Sequence, residues 1–205
     1  MNFTQTDAGT TALATASSVT YQGLDGETIT GTNLQLTYNQ NDTLTTIQGS
    51  ADTFNYGDTK NAFQLNGGEL NVVYDANGNI QSANISGDSV NYTGTTSKDG
   101  ALSANFGEFN ANLTVSADGS QTLNFNGQNG AFEFDGNKVN VEDIEKLEVR
   151  TDANGAITGA DLDLDGKATF LDKDADLSVA LTNAEAHYTQ EGNQLSLSFD
   201  QMDLE

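Results

Sequence analysis

The chain of 205 residues contains no cysteine, no proline and no tryptophan. Without cysteine it forms neither disulfide bonds nor a cysteine-ligated zinc site. Without tryptophan it lacks the indole rings on which many carbohydrate-binding proteins stack a sugar. These absences exclude small domains that are held together by disulfide bonds or by cysteine-ligated zinc.

Basic residues are also scarce, with 7 Lys and Arg against 30 Asp and Glu and a formal net charge of −23. A field of this sign repels nucleic acids and anionic membrane surfaces, which their binders meet with Lys and Arg. The composition therefore excludes direct nucleic-acid binding. It favours partners that are cationic or uncharged.

No apolar run approaches the roughly 20 residues of a membrane-spanning helix, so no transmembrane segment is predicted. The first 21 residues, "MNFTQTDAGTTALATASSVTY", lack the basic start and apolar centre of a signal peptide. We expect the chain to be a segment of a larger exported protein, periplasmic or extracellular.

Self-similarity is the strongest signal in the sequence. Strand-like stretches end on Tyr21, Tyr56 and Tyr92, which are 35 and 36 residues apart, and similar stretches end on Phe134 and Phe170. A second series, which includes Tyr38 and Tyr74, lies between them. The sequence therefore contains a repeat of about 36 residues, made of two similar halves.

Within each half the apolar residues alternate with polar ones, as in Leu34, Leu36 and Tyr38, which is typical of strands with one dry face. Turn signals such as "DANG", "ADGS", "EGN" and "FDGN" separate the strands. We predict an all-β, single elongated antiparallel repeat domain over residues 17–205, either a folded-over β-jellyroll or stacked sheets. Residues 1–16 are predicted to be an N-terminal arm, and residues 140–147, "NVEDIEKL", a short helical insertion.

The aromatic ladder has two interpretations that alternation does not separate. Its residues either fill a closed core or line an open apolar groove. The ladder comprises Tyr38, Tyr56, Tyr74, Tyr92, Phe134 and Phe170.

The segment "DLDLDGKATFLD", residues 161–172, also has two interpretations. In an EF-hand loop, a calcium ion would be bound at positions occupied here by Asp161, Asp163, Asp165, Lys167, Thr169 and Asp172. In a strand, the same acids face water while Leu162 and Leu164 face the core. Acids at alternate strand positions are about 6.6 Å apart, so a strand brings at most two of them to one ion unless it bulges. The strand interpretation is favoured.

No arrangement typical of catalysis is visible in the sequence. The single histidine, His187, has no recognisable acid–base partner, and no serine lies in a G-x-S-x-G turn. We therefore expect a non-catalytic protein with no certain cofactor other than a candidate calcium ion.

Residues 51–92 resemble the OstA-like family, the β-jellyroll repeat of periplasmic lipopolysaccharide-transport proteins. The matching residues are Ala51, Asp52, Tyr56, Leu65, Gly67, Tyr74, Asp75, Gly78 and Gly87. The resemblance implies a folded-over β groove that holds acyl chains and stacks end to end. One departure is that this chain has few basic residues with which to bind lipopolysaccharide phosphates.

Two functional hypotheses follow. The first is a groove that binds or bridges an amphipathic lipid, in a protein that forms end-to-end homo-oligomers. The second is a structural or adhesive module of a larger extracellular protein, stabilised by divalent cations at its many acids.

Overall fold

A computed structural model describes residues 2–6, 9–23, 26–58, 60–95, 101–172, 177–190 and 194–204. The described residues form strands and turns without a helix, which confirms the all-β fold class. Accordingly, none of them belongs to a helix long and apolar enough to cross a membrane. The strands are β1 (Asn2–Thr6), β2 (Gly9–Gln22), β3 (Thr28–Gln40), β4 (Leu44–Gly57), β5 (Ala62–Asp75), β6 (Ile80–Gly87), β7 (Ser89–Thr95), β8 (Ala101–Phe106), β9 (Phe109–Val115), β10 (Gln121–Phe134), β11 (Asn137–Thr151), β12 (Ile157–Asp172), β13 (Leu177–Thr182), β14 (Glu185–Thr189), β15 (Gln194–Ser198) and β16 (Gln201–Leu204).

All sixteen strands belong to one antiparallel sheet, but several long strands have different neighbours at their two ends. Strand β5 pairs with β7 through residues 62–66 and with β6 through residues 69–74. Strand β10 divides in the same way between β8 and β9, and β12 between β13 and β14. The sheet therefore consists of two halves that share their long strands. Half A contains β7, β8, β13 and β16, and half B contains β1, β6, β9, β14 and β15.

A line of irregular residues, here called the crease, separates the two halves. Pairing is interrupted at the same level of successive strands, for example between Asn66 and Gly68 of β5. Five residues on this line have left-handed backbone conformations, with φ between 49° and 76°: Asn33, Gly67, Asn129, Gly166 and Asn183. Glycine and asparagine adopt this conformation at the lowest cost among the amino acids. Four of them lie in β3, β5, β10 and β12, and Asn183 lies between β13 and β14, so they recur at the same level of the sheet.

Acidic side chains of neighbouring segments stabilise the crease. Asn33 Nδ2 donates to Asp52 Oδ2 at 2.5 Å, and Asn183 Nδ2 donates to Asp200 Oδ2 at 2.8 Å. The backbone N–H of Lys167 donates to Glu142 Oε2 at 2.8 Å. Charge-assisted bonds of this kind satisfy backbone and amide groups that the interrupted ladder leaves unpaired.

The 36-residue repeat corresponds to one pair of crossings of the crease. Strand β4 runs from half B to half A, and β5 returns from half A to half B after a short turn. Half of the repeat is therefore one crossing strand with its turn. The turns behave as predicted, because Gly78, Gly119, Gly136 and Gly155 all have positive φ. The predicted turn "EGN" lies outside the described residues.

The short helix predicted at residues 140–147 is wrong, because these residues belong to strand β11. Val141, Ile144 and Leu147 recur every three residues, which imitates a helical period. The register with β12 shifts between Val141 and Asp143 and again between Ile144 and Lys146. Each bulge adds one residue to the strand and so converts a period of two into a period of three.

The predicted N-terminal arm is also wrong where the structure describes it. Residues 2–6 form β1, and residues 9–16 are the first part of β2, which continues without a break to Gln22. Alternation is weak in "TTALATASS" because alanine and threonine replace the large apolar residues of later strands. Hydrogen bonding to β3 from Thr10 to Gln22 nevertheless makes this segment part of the sheet.

Substitution of a crease glycine tests the role of the bend. A Cβ atom at Gly67 would lie 2.2 Å from Asp88 Oδ2, whereas a Cβ at Gly78, also at positive φ, meets nothing within 4 Å. We expect Gly78→Ala to lower the free energy of unfolding by about 1 kcal/mol through backbone strain alone. Gly67→Ala should lower the free energy of unfolding by about 2–3 kcal/mol, because the carboxylate of Asp88 must also move. Equal losses in urea denaturation would contradict this role of the crease.

The turn between β4 and β5 predicts a specific acid sensitivity. Backbone N–H groups of Lys60 and Asn61, with the Asn61 side chain, hold the pKa of the Asp58 carboxyl at about 2, below the ordinary 3.8. A depressed folded-state pKa means that the carboxylate stabilises the fold above about pH 4, and that this contribution is lost as the pH falls toward 2. Asp58→Ala should therefore lower the melting temperature at pH 7 more than at pH 2.5. A pH-independent difference would show that the charge of Asp58 is unimportant.

Candidate functional site: an apolar groove along the crease

Apolar side chains form continuous rows across both halves of the sheet. Alternation places every second residue on one face, and antiparallel register aligns these residues between neighbouring strands. In half A one row contains Tyr21, Ile29, Tyr56, Phe63, Tyr92, Ala104, Phe132, Val139, Phe170, Val179 and Leu204.

Half B carries two similar rows. The first, nearer the crease, contains Ala14, Leu36, Gly49, Leu70, Ile85, Ala111, Phe125, Leu147, Leu162, Ala186 and Leu197. The second contains Ala12, Tyr38, Ile47, Val72, Ala83, Leu113, Leu123, Val149, Ala160, Tyr188 and Leu195. At about 4.8 Å per strand, each row extends for about 50 Å.

Close contact between the apolar faces occurs beside the crease. Phe106 of half A lies edge-on to Phe125 of half B, with ring centroids 4.9 Å apart. Both rings pack against a buried cluster of Val141, Ile144 and Leu164 together with Ala168 and Ala184. Residues from both halves therefore meet at the bend, and the apolar faces lie on its concave side.

Most of the buried apolar residues lie beside the crease, and many large apolar residues of the rows are partly or half exposed. Ile144 is 5% exposed, whereas Tyr21 is 56%, Phe134 51% and Leu195 75% exposed. Among the described residues, no large side chain is fully buried. The accessible surface of 12715 Å² exceeds the roughly 9,200 Å² of a compact monomer of this mass. The apolar faces thus form a partly open groove with a closed base, called here the crease groove.

The six residues of the predicted ladder all lie in apolar positions, but not in one row. Tyr56, Tyr92 and Phe170 belong to the half-A row, and Phe134 lies two residues beyond Phe132 on the same strand. Tyr38 and Tyr74 lie in half B. The two sequence series therefore represent the two halves of the bent sheet.

The tyrosine hydroxyls are bonded at the edges of the groove. Tyr56 donates to Asp58 Oδ2 at 3.0 Å, and Tyr92 donates to Asn61 Oδ1 at 2.9 Å. The hydrogen bond to Asp58 and the negative charge of this carboxylate raise the pKa of Tyr56 above its ordinary value. Each ring therefore adds apolar surface to the groove while its hydroxyl group lies at a polar turn.

Sequence reasoning did not identify the aromatic contacts that join the halves. Phe106 also packs edge-on against Phe132, with ring centroids 5.1 Å apart. These residues occur in "SANFGEF" and "GAFEF", and the strand pattern alone indicates only that each faces the apolar side. Phe106 and Phe125 meet across the crease, whereas Phe106 and Phe132 both belong to half A and meet through the register of β8 and β10.

The segment "DLDLDG" is part of strand β12, as the strand interpretation predicts. The predicted metal ligands from Asp161 to Asp172 are spread along this single strand, which spans sixteen residues. No group of three or more His, Asp or Glu side chains arranged to hold a metal occurs in the described ranges. Gly166 is the crease residue of this strand, so the apparent EF-hand glycine serves the bend. Calcium binding by the predicted set stays a prediction.

Asp161 instead joins an ion-pair cluster on the polar face of half B. Its carboxylate contacts Arg150 Nη1 at 2.6 Å and His187 Nδ1 from the neighbouring strand, and Arg150 also pairs with Glu148. The hydrogen bonds from His187 and Arg150 lower the pKa of Asp161. This partner of His187 was invisible in the sequence, because the two residues are 26 positions apart and meet only through the register of β12 and β14.

Comparisons with protein-family models, curated proteins and solved structures found no match to this chain. The resemblance of residues 51–92 to OstA-like repeats therefore stays a prediction.

A calcium titration distinguishes the two interpretations of "DLDLDG". A native-state site at 100 times its dissociation constant adds about 2.7 kcal/mol of stability. We expect millimolar calcium to shift the melting temperature no more than magnesium at matched ionic strength, because Asp161 is already paired and the acids of a strand diverge. A larger calcium-specific shift that Asp163→Asn abolishes would instead identify a metal site.

Proposed function

We propose that the protein is a non-catalytic binding module whose crease groove holds the apolar chain of an amphipathic lipid. The observation that carries this proposal is the partial exposure of the apolar rows, which have a buried base at Ile144 and half-exposed residues such as Leu36 and Phe134. Contiguous exposed apolar surface on this scale is typical of interaction sites. A closed core would have covered these side chains.

The chemistry of the groove favours an acyl chain over a compact ligand. Its rows are continuous across ten or more strands and contain aliphatic and aromatic side chains without charges. Each buried methylene group contributes about 0.8 kcal/mol, so a long flexible chain gains affinity in proportion to the length that the rows cover. The order of features at residues 51–92, which resembles OstA-like repeats, supports the same assignment.

Charge restricts the head group of such a lipid. The chain carries 30 acidic residues and only 7 Lys and Arg. Of these basic residues, Arg150 and Lys146 are already paired with Glu148, and Lys138 with Glu133. A lipid with an uncharged, zwitterionic or cationic head therefore fits better than one with several free phosphates.

The ends of the sheet support assembly within the same proposal. Strand β1 borders half B at one end of the sheet, and β15 and β16 border halves B and A at the other. Each of these strands has one edge that is not paired with any described strand. End-to-end pairing of copies would satisfy these edges and extend the groove. Such a bridge is suited to a periplasmic or extracellular protein.

A paired substitution on β3 tests the groove. Leu36 faces the groove and is 48% exposed, whereas its neighbour Gln35 is exposed on the polar face. We expect fluorescent lysophosphatidylcholine to bind saturably, and Leu36→Asp to weaken binding about tenfold, because a carboxylate must be desolvated beside the acyl chain. Gln35→Asp adds the same charge and should leave binding unchanged.

Fluorescence titration below the critical micelle concentration measures this difference, and thermal melts confirm that both variants are folded. Absence of saturable binding to the unsubstituted protein would contradict the lipid proposal. Equal weakening by both variants would show that overall charge, and not the groove, determines binding.

A further inference from the structure

The polar face of half B carries a cluster of asparagines in register. Asn71, Asn84, Asn112 and Asn124 are consecutive cross-strand neighbours on β5, β6, β9 and β10, and Asn110 and Asn126 form the adjacent pair. We call these six residues the amide patch. They alternate with groove residues such as Ala111 and Phe125, so the patch lies on the opposite face of the sheet from the crease groove.

The amide patch has unused hydrogen-bonding capacity. Asn84 Nδ2 donates to Asn110 Oδ1 at 3.2 Å, and Asn112 Oδ1 accepts a bond from Thr114 at 3.2 Å. Among the described residues, no hydrogen-bond partner contacts the side chains of Asn124 and Asn126. Each amide offers two donor hydrogens and an acceptor oxygen in one plane. The patch therefore presents several donor–acceptor pairs that the fold itself does not use.

Two hollows lie beside the patch. One of about 250 Å³ is lined by Asn71 and Asn84 together with Gln48 and Glu69. The other, of about 520 Å³, lies at the crease and is lined by Asn110 and Asn126, by the acids Glu108 and Asp143, and by Ile144. Both hollows combine amides with carboxylates, which accept hydrogen bonds from hydroxyl groups.

Charge selects among the ligands that could use these groups. The six patch residues are uncharged, and the charged residues of the two hollows are acids, in a chain of net charge −23. Anionic polymers are therefore repelled, and a polymer rich in hydroxyl groups but without charge is not. Adjacent hydroxyl groups of a sugar ring provide the donor–acceptor pairs that planar amides and carboxylates complement.

We propose that the amide patch is a binding surface for a neutral polysaccharide, on the face of the sheet opposite the apolar rows of the crease groove. Recognition uses hydrogen bonds in place of ring stacking, since all six patch residues are asparagines. Such binding is weak for one sugar unit, because each hydrogen bond to the ligand replaces one to water. The overall affinity is higher for a polymer that covers both hollows, because its linked sugar units bind together.

Affinity electrophoresis of the whole chain tests this surface, with gels that contain dextran, laminarin, xyloglucan or galactomannan, and polygalacturonate as the anionic comparison. We expect at least one neutral polysaccharide to retard the protein. Asn124→Val with Asn126→Val should raise the dissociation constant about tenfold, through loss of two unpaired amides. Valine suits a strand, so the variant should remain folded.

The matched control is Asn91→Val with Asn105→Val, a cross-strand pair of exposed amides on the polar face of half A. This variant removes the same number of amides, but outside the amide patch. It should therefore bind the polysaccharide within about twofold of the unsubstituted protein. A spectrum of the ¹⁵N-labelled unsubstituted protein provides a measurement that does not depend on folding of the variants. Side-chain NH₂ signals of the patch should shift when the retarding polysaccharide is added.

Three results would overturn the proposal. Retardation by no neutral polysaccharide would show that the asparagines only stabilise the sheet. Equal weakening by the two double variants would place binding elsewhere. Concentration-dependent dimers in sedimentation velocity that only Asn124→Val with Asn126→Val dissociates would assign the patch to a second copy of the chain.

Discussion

The repeated bend of the strands is the constraint on which the rest of the structure depends. A strand of fourteen residues such as β4 would be about 46 Å long if it were straight, and one flat sheet of such strands would leave its whole apolar face exposed. Left-handed residues such as Asn33 of β3 and Gly67 of β5 recur at one level of the sheet, and side chains of the two apolar faces meet beside this level. The carboxylates of Asp52, Glu142 and Asp200 satisfy donors near these bends. The fold therefore depends on the polar residues of the crease to bring its apolar faces together.

This arrangement explains how an acidic chain with few fully buried residues forms an ordered sheet. Strand pairing is continuous over sixteen strands, so backbone hydrogen bonds are satisfied without a thick core. Apolar contact is concentrated at the base of the groove, around Val141, Ile144 and Leu164. The outer parts of the rows contribute less, because they are only half covered. The same partial coverage that limits stability provides the surface proposed to bind a lipid.

The two faces of the sheet differ in the chemistry that they offer. The concave face presents continuous aliphatic and aromatic rows, and the polar face of half B presents amides such as Asn84 and Asn124 beside acidic hollows. Because the strand period is two, one sequence pattern encodes both faces at once. The two proposed ligands, an apolar chain and a hydrated, uncharged polymer, therefore use opposite faces of the sheet. The formal net charge of −23 repels anionic macromolecules.

The sequence by itself determined the fold class, the repeat, the positions of the Asp-Gly turns and the face on which each strand residue lies, because these depend on local propensity and alternation. Bulges concealed the strand at 140–147, where Val141, Ile144 and Leu147 follow a period of three. Only the tertiary structure decided that Gly166 is a crease residue, that Asp161 pairs with His187, and that Phe106 meets Phe125. It also decided how far the side chains of the ladder are exposed, from partly buried Tyr56 to half-exposed Phe134. Each of these contacts joins residues 18 or more positions apart, or depends on the angle of the bend, and neither quantity is expressed in a local pattern.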